Sequence, residues 1–438
     1  MSRGRSRHSI TVPEPVLPRA LHGLARRAVQ ALLGRLSRGT LHVVEEGRGT
    51  TFRGQRPGLE VTVEVRDPRA WAQVATRGTV GFGEAYIRGD FECDDLVRLV
   101  RLFVQAQDVM GTVEGGLARL AGPLHRLYHR LRDNDRPGSR QNIAAHYDLG
   151  NDFYALFLDP TLSYSCGIFE EEGSTLEEAS LAKIDRACQK LGLRAEHHLL
   201  EIGTGWGALA LHAAREYGCR VTTTTISAAQ HEVAVERVKA AGLEERVTCL
   251  REDYRDLRGT YDRLVSIEMV EAVGAPHLPE FFRALDQRLA PDGLALLQAI
   301  TIREQAWARS LEQIDFVKRW VFPGSDLLSL QAISTNLANE TSLSLTHLED
   351  ITPHYARTLR AWRERFHERL PEVRALGYDE RFIRLWDFYL AYCEAGFEEG
   401  YVRDVQVLLA KPEHRTPAPL GELRSFAFAP AAPPGILR

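Results

Sequence analysis

Between residues 198 and 300 short apolar runs alternate with amphipathic stretches, and this alternation constrains the fold more than any other feature of the chain. His198-Leu-Leu-Glu-Ile202 predicts a buried strand, Ala208 to Tyr217 a helix, Arg220 to Thr225 a second strand and Ala229 to Ala241 a second helix. Val247 to Arg251, Tyr261 to Ile267 and Leu294 to Ile300 add further strands. Each helix buries its apolar stripe only by packing back on the sheet, so repeated βα units predict an α/β, doubly wound, Rossmann-like domain. Such sheets bind ligands beyond the carboxyl ends of their strands.

The first of these ends carries Glu201-Ile-Gly-Thr-Gly-Trp-Gly207, where Gly203 and Gly205 let a ligand approach the backbone closely. A dinucleotide site would want Gly-x-Gly-x-x-Gly and an acid at the end of the second strand to hold the ribose. This chain has Gly-x-Gly-x-Gly, and its second strand ends in Thr222-Thr-Thr-Thr225. The acids stand instead at Glu201 in the first strand and Asp253 after the third. Carboxylates beside a glycine turn suit a cationic, phosphate-free ligand whose amino group and ribose hydroxyls need acceptors. S-adenosylmethionine meets that description better than NAD or FAD.

At 438 residues the chain is long enough for more than one core. With 44% hydrophobic and 26% charged residues it has the composition of a globular protein, which excludes a disordered, collagenous or disulfide-stapled class. Cys93, Cys166, Cys188, Cys219, Cys249 and Cys393 are widely spaced and match no metal or redox spacing, so no metal is expected. The chain shows no apolar run of about 18 residues and no secretory signal, which predicts a cytoplasmic protein.

The net charge of −4 hides a basic N-terminus, where Arg3, Arg5, Arg7, Arg19, Arg26, Arg27, Arg35 and Arg38 face the single acid Glu14. Leu17, Leu21, Leu24, Ala28, Leu32 and Leu36 recur there at helical spacing and predict a basic amphipathic helix. Two readings are open: a helix packed on its own domain, or a surface for anionic lipid. Residues 1–16 read as disordered, 17–132 as a small α+β domain containing the alternating strand Leu59 to Val65, and 133–140 as a linker. The doubly wound domain then spans 141–412, and 413–438 reads as a flexible tail.

Tyr164-Ser-Cys-Gly-Ile-Phe169, Glu201-Ile-Gly-Thr-Gly-Trp-Gly-Ala-Leu-Ala, Thr225-Ile-Ser-Ala-Ala-Gln230, Asp253-Tyr-Arg-Asp-Leu257 and Met269-Val-Glu-Ala-Val-Gly274 come in an order that resembles the cyclopropane fatty acid synthase family. The resemblance covers about residues 140 to 412. It implies a class I methyltransferase domain with helical lid insertions, preceded by a lipid-binding domain, and S-adenosylmethionine contacts from Tyr164, Ser165, Gly203, Gly205, Thr225, Ile226, Gln230, Tyr254 and Arg255. His146-Tyr-Asp-Leu-Gly-Asn151 matches a helix expected to cover the cofactor. In this family the alkene of an acyl chain attacks the sulfonium methyl, and a base then removes a proton from the resulting carbocation. Aromatic faces stabilise such a cation, which points to Tyr164, Phe169, Trp320, Phe322 and Tyr355 as lining residues. The family holds a bicarbonate ion as base, at positions that match Cys166, Glu271, Gln298, Ile300 and Tyr355. Cys166 is expected to contribute its backbone amide, so that Cys166→Ser keeps activity.

Two departures stand out. Leu297-Gln-Ala-Ile300 replaces the usual Leu-His-Thr-Ile, and glutamine can donate to an anion but cannot shuttle a proton. Glu268 stands where the usual pattern has glycine, three residues before Glu271, so that one carboxyl could have a raised pKa and share the base role. A Glu268 that merely closes a structural hydrogen bond is the other reading.

The expected product is a cyclopropane on the unsaturated chain of a membrane phospholipid. The Gln-Ala-Ile variant also resembles the branch that methylates without ring closure, giving a methylene- or methyl-branched chain with the help of a separate reductase. The competing classes are a methyltransferase for a small metabolite or nucleic acid, and a lipid-binding protein with a dead methyltransferase scaffold. Nucleic acid is disfavoured because the arginine surplus lies outside the catalytic half. The resemblance suggests a homodimer, and a lipid substrate favours the N-terminal helix as the part that docks peripherally on the inner face of the cell membrane.

Overall fold

A computed structural model describes residues 10–13, 18–106, 134, 138 and 149–415. The N-terminal part begins with helix α1 (His22–Leu33), followed by strands β1 (Arg38–Glu45), β2 (Arg48–Arg53) and β3 (Arg56–Val65), helix α2 (Arg69–Arg88), strand β4 (Phe91–Cys93) and helix α3 (Leu96–Gln105). The strands form one sheet in the order β2-β1-β3-β4, with β1 parallel to β3 and antiparallel to β2. The Asp95 carboxylate starts α3 by accepting the Arg98 N–H at 2.8 Å. This is the expected small α+β unit.

The amphipathic helix is present, with its leucines divided between the core and the surface. Ala25, Val29 and Leu33, together with Leu36 just beyond α1, are buried against the N-terminal sheet and α2, whereas Leu21 and Leu24 are exposed. Leu17 lies outside the described residues. Of the segment 1–16, expected to be disordered, only residues 10–13 are described; there Val12 is buried and the Pro13 carbonyl accepts from Gln73 and Arg88.

The second part carries helices α4 (Asn151–Phe157), α5 (Leu176–Lys190), α6 (Ala208–Glu216), α7 (Ala228–Ala240), α8 (Leu278–Arg288), α9 (Thr352–Glu368) and α10 (Glu380–Glu398). Its strands are β5 (His198–Ile202), β6 (Arg220–Thr224), β7 (Val247–Leu250), β8 (Tyr261–Ile267), β9 (Leu289–Ile302), β10 (Ser344–Asp350) and β11 (Val402–Ala410). They form a seven-stranded sheet in the order β10-β11-β9-β8-β5-β6-β7. The β9-to-β7 half is parallel, and β11 and β10 are antiparallel additions. The strand order reverses at β5, with β6 on one side and β8 on the other, which creates the crevice expected of a doubly wound sheet. Helices 304–312, 316–320 and 330–340 intervene between β9 and β10, and α9 and α10 between β10 and β11. These are the helical insertions.

The two parts share a core. A single apolar cluster runs from Val12, Leu41 and Trp71 to Trp362, Trp386 and Phe397, and Phe82 of α2 meets Phe388 of α10 edge-on. Of the expected linker 133–140, only residues 134 and 138 are described; Asn134 is buried and donates to the Gly324 carbonyl at 2.6 Å. The helical stretch expected around Leu117 to Arg130, and most of His146 to Gly150, lie outside the described residues. The ordered chain continues past 412, where His414 meets the Asp292 carbonyl.

Candidate active site

A cavity of about 800 Å³ opens at the carboxyl ends of β5, β6 and β8. Every residue expected to contact the cofactor lines it. Gly203 (φ +104°) and Gly205 (φ +52°) form the turn after β5, in backbone conformations that glycine tolerates and side chains resist. A Cβ on Gly205 would meet no atom within 4 Å, so the cavity comes directly up to the backbone there. Thr225, Ile226 and Gln230 continue the wall from the end of β6, with the Thr225 hydroxyl donating to Gln230 Oε1 at 3.1 Å. Tyr164 and Ser165 face them, and the buried Lys183 ammonium donates to Ser165 Oγ at 2.9 Å. Lys183 was missed as a site residue, since a lone lysine on a helical face carries no motif.

The two acids behave differently. Glu201 is buried on β5 and accepts from the Thr223 hydroxyl at 2.6 Å. Burial pushes its carboxyl up to about 8, against the pull of the Thr223 hydrogen bond and the Lys183 charge. Asp253 is paired with Arg255 at 2.7 and 2.8 Å in a nearly inaccessible ion pair. Tyr254 packs edge-on against Phe281 and lines the same wall. The glycine cradle and the buried carboxyl fit S-adenosylmethionine.

The second group of expected residues converges on one carboxylate. Glu268 Oε1 accepts the Cys166 backbone N–H at 2.8 Å and the Gln298 side-chain amide at 2.7 Å, and Oε2 accepts the Tyr355 hydroxyl at 2.5 Å. The Ile300 N–H donates to Glu271 Oε1 at 2.5 Å, while Glu271 Oε2 has no hydrogen-bond partner among the described residues. Glu268, Glu271, Ile300 and Tyr355 line the cavity; Cys166 and Gln298 stand behind Glu268. Burial, then the Glu268 charge, pushes Glu271 up to about 8. The two carboxylates interact, but not through the expected helical turn: Glu268 has φ +46° and only 270–272 form a 3₁₀ turn.

The antiparallel strand β11 completes this cluster, which the motif order could not reveal. Its register sets Gln406 opposite Gln298 and Asp404 opposite Ile300. Gln298 therefore donates to Asp404 Oδ2 at 2.9 Å and accepts from the Gln406 amide at 3.0 Å. Burial, then the charge of Glu268, holds the Asp404 carboxyl well above the ordinary range. The Cys166 thiol is inaccessible, and burial pushes it well above its usual range, which is unsuited to a nucleophile.

Of the expected aromatic lining, Tyr164, Phe322 and Tyr355 face the cavity and Phe169 and Trp320 do not. The Phe169 ring lies 4.0 Å beneath the Arg357 guanidinium, and Trp320 lies beneath Arg319, so both serve packing. Tyr389 and Phe397 from α10 take their places: the Tyr164 and Tyr389 hydroxyls are 2.9 Å apart and Phe397 stacks on Tyr355 at 4.2 Å. Phe82, Val100, Phe103 and Val104 of the N-terminal part close another wall, which extends the cavity across both parts.

A family model described as mycolic acid cyclopropane synthetase matches residues 134–407. The tuberculostearic acid methyltransferase UfaA1 of Mycobacterium tuberculosis is 39% identical over 350 residues, covering 77% of this chain and 80% of that protein. The cyclopropane-fatty-acyl-phospholipid synthase of Escherichia coli K12 is 33% identical over 371 residues, covering 82% and 88%. That alignment is longer than the chain from 134 to its end, so the similarity reaches into the N-terminal part. Among solved structures, mycolic acid cyclopropane synthase CmaA1 complexed with SAH and CTAB matches with a TM-score of 0.58 and 32% identity, over 62% of this chain and 98% of that one.

Proposed function

Because the chain belongs to the mycolic acid cyclopropane synthetase family of S-adenosylmethionine-dependent lipid methyltransferases, we propose that it methylates the double bond of an unsaturated phospholipid acyl chain without closing a ring, giving a methylene-branched chain. The observation that carries this product is Gln298 in the histidine position, locked between Glu268, Asp404 and Gln406. No imidazole is there to take up a proton. The cation therefore persists long enough for a hydride to shift before the proton is lost. The name of the methyltransferase relative from M. tuberculosis agrees with this reading.

When bound, S-adenosylmethionine supplies the electrophilic methyl group. Gly203, Gly205, Thr225 and Gln230 hold it against the strand ends, and Glu201 offers the carboxyl for its amino group. Tyr164, Tyr355, Tyr389, Phe322 and Phe397 present ring faces and edges to the acyl chain, where they stabilise positive charge without reacting with it. The apolar walls exclude water, which would otherwise capture the cation. Cyclopropanation is the second reading, supported by the intact Tyr164-Ser-Cys-Gly motif and by Tyr355.

For the lipid surface, exposed Leu21 and Leu24 beside Arg27 on α1 support docking on anionic headgroups. No described helix is long and apolar enough to cross a membrane. The test of function is expression in a host lacking its own synthase, followed by proton NMR of the phospholipids. Vinylidene signals are expected; upfield ring protons would establish cyclopropanation instead, and unchanged lipids would remove both.

A further inference from the structure

Three of the donors that the family resemblance assigns to a bicarbonate ion, the Cys166 N–H, the position-298 side chain and the Tyr355 hydroxyl, are already engaged by the carboxylate of Glu268. The fourth, the Ile300 N–H, is engaged by Glu271. A bicarbonate ion would have to displace Glu268 from its partners and then lie beside its charge. The residues present do not fit that ion.

The backbone adds a second observation. Glu268 sits at φ +46°, a left-handed conformation costly for a side chain and free for glycine. Its own N–H is tied to the Gln298 carbonyl at 2.9 Å, which holds that conformation at the end of β8. The turn thus keeps a glycine-type conformation while carrying a carboxylate into the cavity. Strain retained at such a point marks a side chain whose position matters.

We propose that Glu268 is the resident general base of this enzyme, standing in place of bicarbonate, and that turnover needs no added ion. The proposal rests on the methyl-transfer reading above. After the alkene electron pair has bonded to the methyl carbon and the sulfur has left with the electrons of its bond, the acyl chain is a cation. A Glu268 oxygen takes a proton from the former methyl group, and that C–H pair becomes the new carbon–carbon bond, a double bond after hydride shift or a ring bond without it. Glu268 ends as the acid, the product is neutral, and the proton passes to solvent before the next turnover. Gln298 and Asp404 are positioning residues that hold Glu268.

The test compares full-length protein on vesicles of unsaturated phosphatidylglycerol, with methyl-labelled S-adenosylmethionine, in carbon-dioxide-free buffer and with added bicarbonate. Wild type is expected to run at one rate in both. Glu268→Gln, close in shape, is expected to lose about a hundredfold or more in both buffers while binding S-adenosylmethionine normally by calorimetry. Glu268→Gly, which suits the positive φ and frees the donors, is expected to be slow without bicarbonate and at least about tenfold faster with it. A wild type that labels lipid only when bicarbonate is present, or a Glu268→Gln enzyme at wild-type rate, overturns this proposal alone. A wild type that labels no unsaturated lipid in either buffer overturns the methyl-transfer reading as well.

Discussion

The Tyr86 hydroxyl donates to Asp387 Oδ2 at 2.6 Å, joining α2 to α10 across 301 residues of sequence. Arg363 and His367 hold the other oxygen of the same carboxylate, each at 2.7 Å. Burial alone pushes the Asp387 carboxyl up, but the His367 hydrogen bond, the Arg363 charge and the Tyr86 hydroxyl together bring it down to about 2. A carboxyl depressed in the folded state stabilises fully above its unfolded pKa of about 3.9, and that stability is lost as pH falls through about 2. Tyr86→Phe is expected to cost about 1–3 kcal/mol by urea denaturation at neutral pH. Asp387→Asn is expected to flatten the acid limb of the stability curve below about pH 4.

Glu201 has the opposite sign. Its folded pKa, pushed up to about 8 chiefly by burial, stands above the unfolded value. The protonated form is favoured in the folded chain, so this contribution is complete below about pH 4 and is lost as pH rises through about 8. Glu201→Gln is therefore expected to stabilise the ligand-free protein at about pH 9 and to leave it unchanged at about pH 4. Calorimetry of cofactor binding near neutral pH, in buffers of different ionisation enthalpy, is expected to show proton release in wild type and less in the variant.

On the proposed mechanism Gln298 acts through Glu268, to which it donates at 2.7 Å. Gln298→Leu removes one donor from Glu268 Oε1 and leaves the buried Asp404 and Gln406 side chains each short of a partner. A loss on the order of tenfold in kcat is expected, with the KM for S-adenosylmethionine little changed. An equal rise in that KM would move Gln298 to the cofactor site.

Val104 lines the cavity from the end of α3. Val104→Trp fills part of that wall with a large ring, and in paired assays it is expected to depress methylation of longer acyl chains more than shorter ones. Equal losses at all lengths would mean that the chain does not run along α3.

The strands β5 to β8 and the helices between them were legible because each buries one face at a regular period. His198–Ile202 and Tyr261–Ile267 agree with expectation residue for residue. The residues expected to hold the cofactor cluster at strand ends in short local motifs, which is why the sequence alone could group residues that line one cavity. What escaped is what the chain brings together from a distance. Asp404 and Gln406 reach Gln298 only through the antiparallel register of β11 with β9, and no local pattern encodes a register. Phe169 and Trp320 look like Tyr355 in the sequence, but their neighbours decide which ring meets the cavity. For α1 the periodicity showed an amphipathic helix but not which stripe packs: Ala25, Val29, Leu33 and Leu36 are buried, whereas Leu21 and Leu24 are exposed.

The wall that Phe82 and Phe103 contribute gives the cavity a fixed depth, measured from the N-terminal part to the carboxyl cluster at Glu268. On the proposed lipid reading, an acyl chain entering this cavity is measured like a length against a stop, and only carbons at one distance from the stop reach the reacting position. The junction of α2 with α10 would then set the zero of that scale, and a substitution far from any reacting atom is expected to change which double bond is modified.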